Sequence, residues 1–512
     1  MLNTSTICIV VAIVLYLAFM LYLGFRFAKG NTTTGDYYLG GRQLGPLVTA
    51  MSAEASDMSS WLLMGLPGVA YATGICDAGW TAIGLGVGTY LNWLLTAKRL
   101  RYYSETIGAL TIPEFFEKRF HDSSHLLMGI SAFVIVFFFI PYTASGFAAC
   151  GKLFSSLFHI GYLPAMVVSA LVIILYTASG GFMAASTTDF FQSIVMTFAL
   201  IAVVCYGLSH TGGWGETMAY AGSLPGYLSL TEMYDAATGS AANYGGFITI
   251  ISTAAWGLGY FGMPHILLRF MAIEDPKKIS LSRRVASVWV FISMFVAIFI
   301  GVLGLSMVHA GALEPLEDPE RIIIVISDQI AHLGVIPGLL AGIILAGILA
   351  CTMSTCDSQL LAASSSISED ILHGVFNVKV DAKTTMRMAR GTLIVIAILG
   401  MVMARDPNSS VFGIVSFAWA GFGAAFGPVM MCGIFWRRTN FWGALIGMVS
   451  GGTMMLVWHY MIKPMGGVFG IYELLPGFLV GLAGCVIASL ATAEPEPEIL
   501  AEFDKVNELC RK

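Results

Sequence analysis

Thirteen runs of about twenty apolar residues constrain the fold of this chain more than any other feature of its sequence. A helix needs about 20 predominantly apolar residues to cross a bilayer. Hydrophobic residues make up 57% of the chain and charged residues 11%, and the mean hydropathy of +0.80 excludes a soluble protein. No segment shows the alternation of apolar and polar residues that is typical of the strands of a membrane β-barrel. The sequence therefore predicts an all-α integral membrane protein with about 13 transmembrane helices, at 5–26, 44–70, 78–97, 126–156, 161–181, 189–208, 245–271, 285–308, 335–366, 388–404, 411–436, 441–461 and 472–492.

The Lys and Arg residues predict the orientation of these spans. With the N-terminus outside, all but four of the 26 basic residues fall in cytoplasmic segments, the exceptions being Lys152, Arg321, Arg405 and Lys463. Cytoplasmic loops are enriched in basic residues, so the asymmetry favours an odd number of spans and a cytoplasmic C-terminus. The first run lacks a basic start and a small-residue cleavage site, and we interpret it as a retained helix. A multi-pass protein of the plasma (inner) membrane, surrounded by lipid, is expected.

The chain is organised as one membrane domain over 1–495 and a cytoplasmic tail over 496–512. The charged tail is predicted to be solvated and partly disordered, and the outside segment 209–244 to be a loop with a short helix that acts as a lid. The nine cysteines show no metal-site or disulfide spacing. A net charge of −5 with dispersed basic residues gives no support for a nucleic-acid partner, and no obligate protein partner is evident.

Two interrupted spans indicate an internal repeat. Span two is interrupted at Gly65–Gly68, and span seven, five spans later, at Gly257–Pro264. Paired broken helices in corresponding positions are typical of transporters built from inverted repeats. We therefore predict a first inverted repeat over 44–208 and a second over 245–436.

Asp57 lies in the middle of span two, within the polar stretch Ala55–Trp61. A charge at bilayer depth costs roughly 2.5–3.5 kcal/mol on the mildest scale, so it is expected to face an ion, a partner or water. If the helix unwinds here, its freed carbonyl oxygens suit a hard cation such as Na⁺. The alternative is that the serines of this stretch only pack helices closely and bond to the backbone.

The second polar stretch, in span seven, is predicted to bind a small amphipathic solute. Trp256 and Tyr260 are four residues apart and lie on one helical face, and aromatic walls with polar tips suit such a ligand. An interfacial aromatic belt or core packing is the alternative. His265 and Arg269 are expected near the cytoplasmic end, in structural pairs.

A third stretch, in span nine, places side-chain oxygens of Ser354, Thr355, Asp357 and Ser358 within about one and a half turns. With carbonyls from span two, these oxygens would complete a cation site; intrahelical capping is the alternative. Asp189, at the start of span six, is interpreted as an ordinary N-cap. The run 417–428 is interpreted as close helix packing with a gating aromatic residue.

These segments together resemble the sodium:solute symporter family, and within it the proline branch. The likeness covers about residues 10–490 and is carried by the motifs at 36–46, 55–68, 256–265, 353–355 and 418–428. The resemblance implies the inverted-repeat, leucine-transporter-like fold, with one helix before the ten-helix core and two after it. It also implies secondary active import of L-proline, with Na⁺ as the coupling ion, no organic cofactor and no enzymatic activity.

The resemblance also implies roles for individual residues. One Na⁺ would be held by backbone carbonyls and hydroxyls of Ala55, Met58, Cys351, Ser354 and Thr355, with Asp57 as the important acid beside the site. A second Na⁺ site of some relatives matches Asp189, Ser354, Asp357 and Ser358. Arg42 matches a basic residue near the inner mouth. The substrate pocket corresponds to Ser59, Ser60, Trp61, Tyr142, Trp256, Tyr260 and Pro264.

The sequence departs from the family pattern at Glu54 and Ser60, where the proline branch has glycine. Ser60 would narrow or re-polarise the pocket, which leaves open a Na⁺-coupled symporter of another small solute, such as pantothenate, another amino acid or an osmolyte. Glu54 adds a second acid near the ion site. This acid would either admit H⁺ coupling or pair with a residue elsewhere. A transporter-like nutrient sensor is a further alternative, disfavoured because no signalling domain is evident.

Overall fold

The chain is almost entirely helical. A computed structural model describes residues 4–28, 34–378 and 382–511. Its helices are α1 (Thr4–Ala28), α2 (Thr34–Leu39), α3 (Pro46–Ser60), α4 (Leu66–Thr73), α5 (Ile75–Leu91), α6 (Ala97–Thr106), α7 (Ile112–Arg119), α8 (Leu126–Phe158), α9 (Tyr162–His210), α10 (Trp214–Ser223), α11 (Gly246–Ala254), α12 (Pro264–Ala272), α13 (Ile279–His309), α14 (Ile322–Ala331), α15 (Val335–Ser365), α16 (Ala382–Met403), α17 (Val411–Phe435), α18 (Phe441–Val457), α19 (Leu474–Ala491) and α20 (Pro497–Arg511).

Within these residues, eight helices are long and apolar enough to cross a membrane, or nine with the bent pair 246–272. They coincide with predicted spans one, four, six to nine and eleven to thirteen, and they confirm an all-α membrane protein. Spans two and three fall on shorter or interrupted helices, and span five matches a shorter apolar stretch, Tyr162–Leu175. Span ten falls on α16, which is not among the eight long apolar helices. The number thirteen stays a prediction.

Span two is broken at Ser59, inside the polar stretch where unwinding was expected. Ser59 has φ 43° and ψ −173°, which ends the regular helix. The predicted interruption at Gly65–Gly68 is wrong, because a π-helical turn over Trp61–Gly65 leads directly into α4. The π-helical turn just before Pro67 accommodates its missing backbone N–H.

Span seven is broken where its glycines and proline predicted. α11 passes into a 3₁₀ segment, Ala255–Gly262, and Met263 is extended before α12 begins at Pro264. The two parts are bent by 47°. α5 packs directly on the 3₁₀ segment, as a Cβ atom added to Gly88 would lie 2.4 Å from the Gly257 carbonyl oxygen.

Spans five and six form one long run, α9, with a break at Gly181 (φ 69°, ψ −175°) in place of a separate loop. Asp189 therefore lies inside a helix and is fully buried. The interpretation of Asp189 as an N-cap is wrong, since the helix has already resumed at the break and its backbone N–H groups are bonded internally.

The segment 209–244, predicted to lie outside, contains α10, which confirms the predicted short helix. It also contains an unpredicted antiparallel hairpin, β1 (Glu232–Asp235) and β2 (Ser240–Asn243), with Glu232 opposite Asn243. The hairpin turn carries an Asp and a Gly, residues that favour tight turns.

The C-terminal tail is ordered as α20 and packs on α6. Ile499, Phe503 and Val506 are buried, on one face of the helix. The expectation of a solvated, partly disordered tail is wrong, because this apolar face is spaced for a helix and finds a partner surface.

Candidate functional site

The break at Ser59 brings predicted Na⁺ ligands of span two next to those of span nine. The Ser354 hydroxyl on α15 donates to the Ala55 carbonyl (2.8 Å), and it also lies 3.1 Å from the Cys351 carbonyl. The Thr355 hydroxyl lies 3.2 Å from the same Cys351 carbonyl. Four of the five predicted ligands thus form one buried group of oxygen atoms, the ligand type that hard cations prefer.

The fifth predicted ligand, the Met58 carbonyl, lies at the break itself. It accepts a hydrogen bond from the backbone N–H of Trp61 across the irregular turn. The Cys351 thiol contacts the Ser59 carbonyl oxygen at 2.5 Å, which fixes α15 against the break. The irregular backbone is therefore enclosed by protein, as irregular backbone at membrane depth must be.

Asp57 joins this group to an aromatic pocket. Its Oδ2 accepts a hydrogen bond of 2.5 Å from the Tyr260 hydroxyl, and its backbone carbonyl accepts one of 3.3 Å from the Tyr142 hydroxyl. The acid thus holds two side chains that were predicted to line the substrate pocket. A change of the Asp57 side chain acts directly on Tyr260, and a shift of the Asp57 backbone acts directly on Tyr142.

A small buried cavity of about 10 Å³, roughly the space of one water molecule, lies at this junction. Three predicted substrate residues, Trp61, Tyr142 and Trp256, line it together with Asp57, Met58, Leu85, Val415 and Trp419. Ser59, Ser60, Tyr260 and Pro264 are not among the lining residues, and their direct contact with substrate stays a prediction.

Trp419 was not predicted as a site residue, because its segment was interpreted as close helix packing with a gating aromatic residue. Its indole N–H donates to the Trp256 carbonyl (2.7 Å), and its ring meets that of Tyr260 edge-on at 5.0 Å. The signal was present in the sequence, because Trp is larger and more polar than the small residues around it.

An aromatic layer separates the pocket from a larger outer cavity of about 550 Å³. Phe412 lines that outer cavity, and its ring lies 5.5 Å from Trp256 and 6.2 Å from Trp61. Tyr472, before α19, stacks on Trp256 at 5.1 Å. The pocket is therefore covered on this side.

On the opposite side, the loop after α2 is fixed by Arg42. Its guanidinium donates to the carbonyl oxygens of Met271 and Ala109, both at 2.6 Å, and to the Ser104 hydroxyl at 2.9 Å. Arg42 therefore ties this loop to α12, α6 and the segment that follows α6.

The residues predicted for a second Na⁺ are also close together, but a side-chain cation lies among them. Arg269 forms a salt bridge to Asp189 (3.1 Å) and donates to Ser358 (2.5 Å). The expectation that Arg269 is structurally paired is confirmed. His265 is fully buried, and neither ring nitrogen has a hydrogen-bond partner in the described part of the chain.

Glu54 points away from the predicted Na⁺ ligands, towards the residues that follow α5. Its Oε1 accepts a hydrogen bond of 2.9 Å from the Trp93 indole. Among the described residues, its Oε2 has no hydrogen-bond partner.

Comparisons with known proteins agree with this arrangement. A family model described as the sodium:solute symporter family matches residues 37–451. A sodium/proline symporter of Staphylococcus aureus is 39% identical, with 98% of this chain and 96% of the relative covered. The osmoregulated proline transporter OpuE of Bacillus subtilis (strain 168) is also 39% identical, with 98% and 99% covered.

Solved structures resemble the whole chain. A substrate-bound, outward-open Na⁺-coupled sialic acid symporter is 19% identical, with a TM-score of 0.78 over 96% of this chain and 99% of that one. Mhp1, a nucleobase-cation-symport-1 family transporter, is 13% identical, with a TM-score of 0.55 over 93% and 99%. These likenesses confirm the leucine-transporter-like fold, while the bounds of the two repeats stay a prediction.

Proposed function

The chain belongs to the sodium:solute symporter family, and we propose that it imports L-proline across the plasma membrane together with Na⁺. The observation that carries the proposal is the junction at Asp57. One helix break there supplies oxygens to a cation site and aromatic side chains to a substrate pocket. The two proline transporters that are 39% identical over almost their full length support proline as the solute.

The cation site would be formed by α3 and α15. Na⁺ from the outside would replace the hydroxyl-to-carbonyl bonds of Ser354 and Thr355 with ion-to-oxygen contacts to the same atoms, including the Ala55 carbonyl. It would thereby hold the two helices together. Each ligand then favours a state that the other also favours, which is the thermodynamic content of coupling.

The substrate would bind next to the ion. Proline offers a carboxylate and a secondary ammonium group on a compact apolar ring. We place its carboxylate near the irregular backbone and hydroxyls of span two, and its ring against Trp256 and Tyr260. The inner gate, which Arg42 ties shut through Met271 and Ala109, opens when both ligands are bound.

No bond is made or broken in this cycle, so the protein works as a transporter and not as an enzyme, and it needs no organic cofactor. We assign the N-terminus to the outside and the C-terminus to the cytoplasm, because this orientation places the basic residues inside. Arg42 and α20 then lie on the cytoplasmic side, and Tyr472 on the outer side.

The test is uptake of labelled L-proline into proteoliposomes under an inward Na⁺ gradient, compared with Li⁺, H⁺ and no gradient. We expect accumulation with Na⁺ only. Unlabelled proline, pantothenate, other amino acids and osmolytes are then tested as competitors. Failure of excess proline to compete for the site would redirect the assignment to another solute, and solute binding without accumulation would favour a sensor.

A further inference from the structure

Arg269 is the cation at the centre of the buried polar cluster next to the proposed Na⁺ site. It lies on α12 and is 1% exposed. Its Nη2 contacts Asp189 Oδ2 on α9 at 3.1 Å and Ser358 Oγ on α15 at 2.5 Å. Its Nε donates to Ser52 Oγ on α3 at 3.0 Å. One guanidinium thus joins four helices.

These contacts use most of the oxygens that a second Na⁺ would need. Asp189 Oδ2 and Ser358 Oγ are both bonded to the guanidinium, and the Ser354 hydroxyl is directed to Ala55 and Cys351 in the first group. Two carboxylate oxygens, Asp189 Oδ1 and Asp357 Oδ2, have no hydrogen-bond partner among the described residues. The first Na⁺ site is proposed to use five oxygen ligands, and two free oxygens are too few for a second one.

We infer that the Arg269 guanidinium is a resident cation that occupies the position of a second coupling ion. The first ion would bind and leave once in every cycle, whereas Arg269 stays. The transporter then needs only one Na⁺ to neutralise and join its central helices. The inference rests on the proposed function only in so far as Na⁺ is the coupling ion.

The structure also says what removal of the guanidinium would leave. Asp189 and Asp357 would be two buried carboxylates beside the hydroxyls of Ser52 and Ser358, with no cation among them. Breaking a buried ion pair by removing one partner leaves an uncompensated charge. Arg269→Gln, which keeps a polar side chain of similar length, would therefore create a Na⁺ site from oxygens that Arg269 now occupies.

The experiment counts Na⁺ bound to the purified full-length protein, with ²²Na⁺ at saturating concentration. We expect one Na⁺ per wild-type chain, two per R269Q chain and one per R269Q/D189N chain, in which one carboxylate of the new site is lost. Arg101→Gln is the matched control. Arg101 is also a buried arginine that bonds to a carboxylate, Glu105, and its variant is expected to bind one Na⁺.

Two Na⁺ per wild-type chain would overturn the inference, as would one Na⁺ per R269Q chain. If R269Q is too unstable to purify, the wild-type count still decides, and thermal stability of R269Q in membranes gives a second measurement. NaCl is expected to protect R269Q more than it protects wild type, compared with KCl; equal protection contradicts the inference. The count needs no proline, so a failure of proline uptake would refute the proposed substrate and leave the number of ion sites unaffected.

Discussion

At the scale of single residues, two acids three positions apart on α3 have separate tasks. Asp57 bonds to Tyr260 and, through its carbonyl, to Tyr142, and both lie at the pocket. Glu54 bonds to Trp93. Residues three apart on a helix lie near one face, but Asp57 reaches Tyr260 in span seven while Glu54 reaches Trp93 after α5. Asp57 is therefore the acid that we propose to connect ion and solute.

Asp57→Ala is expected to raise the half-saturating Na⁺ concentration for proline uptake by about tenfold or more, a change of about 1.4 kcal/mol. The substitution removes a negative charge beside the cation and releases Tyr260. Glu54→Ala is the matched control, with a smaller effect. The Na⁺ dependence of uptake and of ²²Na⁺ binding measures both variants, and equal shifts would contradict the role of Asp57.

Glu473, immediately before α19, fixes the loop that carries Tyr472. Its carboxylate is 1% exposed and accepts hydrogen bonds from His459 (2.8 Å) and Lys463 (2.7 Å). Burial alone would raise the pKa of Glu473, but the hydrogen bond from His459 and the charge of Lys463 hold the pKa below its usual value. The carboxylate is thus kept ionised next to the residue that covers Trp256.

A lowered carboxylate pKa adds stability above the pKa of the unfolded chain, and this stability is lost as the pH falls through the lower folded value. Glu473→Gln is expected to cost about 1–3 kcal/mol at neutral pH and progressively less below about pH 4. Melting temperatures of both proteins across this range measure the difference. Glu105→Gln, at an exposed i,i+4 pair, is the control; a pH-independent loss in Glu473→Gln would contradict the argument.

At the scale of helices, the broken segment of span seven depends on close backbone contact with α5. A Cβ atom on Gly84 would lie 2.2 Å from the Ala254 carbonyl, and one on Gly257 would lie 2.1 Å from the Gly84 carbonyl. These distances are shorter than any van der Waals contact. The glycines therefore hold the 3₁₀ segment, and Trp256 with it, at the depth of the pocket.

Gly84→Ala is expected to destabilise the protein by about 1–3 kcal/mol, because the extra methyl group forces α5 away from the broken segment. Gly391→Ala, on α16 with nothing within 4 Å of the added Cβ, should be neutral or stabilising by up to about 1 kcal/mol. Melting temperatures in detergent compare the two. A Gly84→Ala protein as stable as Gly391→Ala would show that α5 is free to shift.

The helix breaks show which parts of the fold were predictable from sequence. The glycines and proline of span seven marked its break correctly, since they favour irregular backbone. Span two carried the same signal at Gly65–Gly68, yet its break lies at Ser59. The positive φ of Ser59 depends on contacts with α15 and the pocket, which local composition does not record, while a π-helical turn accommodates Pro67.

The environments of Asp189 and of the tail also could not be predicted from local sequence patterns. Asp189 looked like an N-cap because it follows a polar segment. Its buried position comes from the break at Gly181, and its carboxylate pairs with Arg269, eighty residues away in the chain. The tail looked disordered because it is charged. Its apolar face becomes meaningful only against α6, where Lys98 donates to the Cys510 carbonyl at 2.8 Å.

At the scale of the whole molecule, the driving force for transport depends on which cations cross the membrane and which stay fixed in the protein. Arg269 is fixed between α12, α9, α15 and α3 and carries no charge across the membrane. Proline is a zwitterion with no net charge near neutral pH. If one Na⁺ accompanies it, each cycle moves one positive charge inward, and the membrane potential contributes about 2.3 kcal/mol per 100 mV.

This charge movement predicts accumulation without a Na⁺ gradient. With equal Na⁺ on both sides of proteoliposomes and a K⁺ diffusion potential of about 100 mV, inside negative, proline should concentrate up to about 40- to 50-fold, which is the equivalent of 2.3 kcal/mol. If two Na⁺ ions accompanied each proline, the highest concentration ratio would be the square of this value. Equal K⁺ on both sides with the same ionophore is the control and should abolish accumulation. If the ratio of proline inside to proline outside does not depend on the potential, the cycle is electroneutral, and net movement of a single Na⁺ is refuted. A potential-driven ratio of several hundredfold would require a second ion and would return Asp189 and Asp357 to the list of Na⁺ ligands.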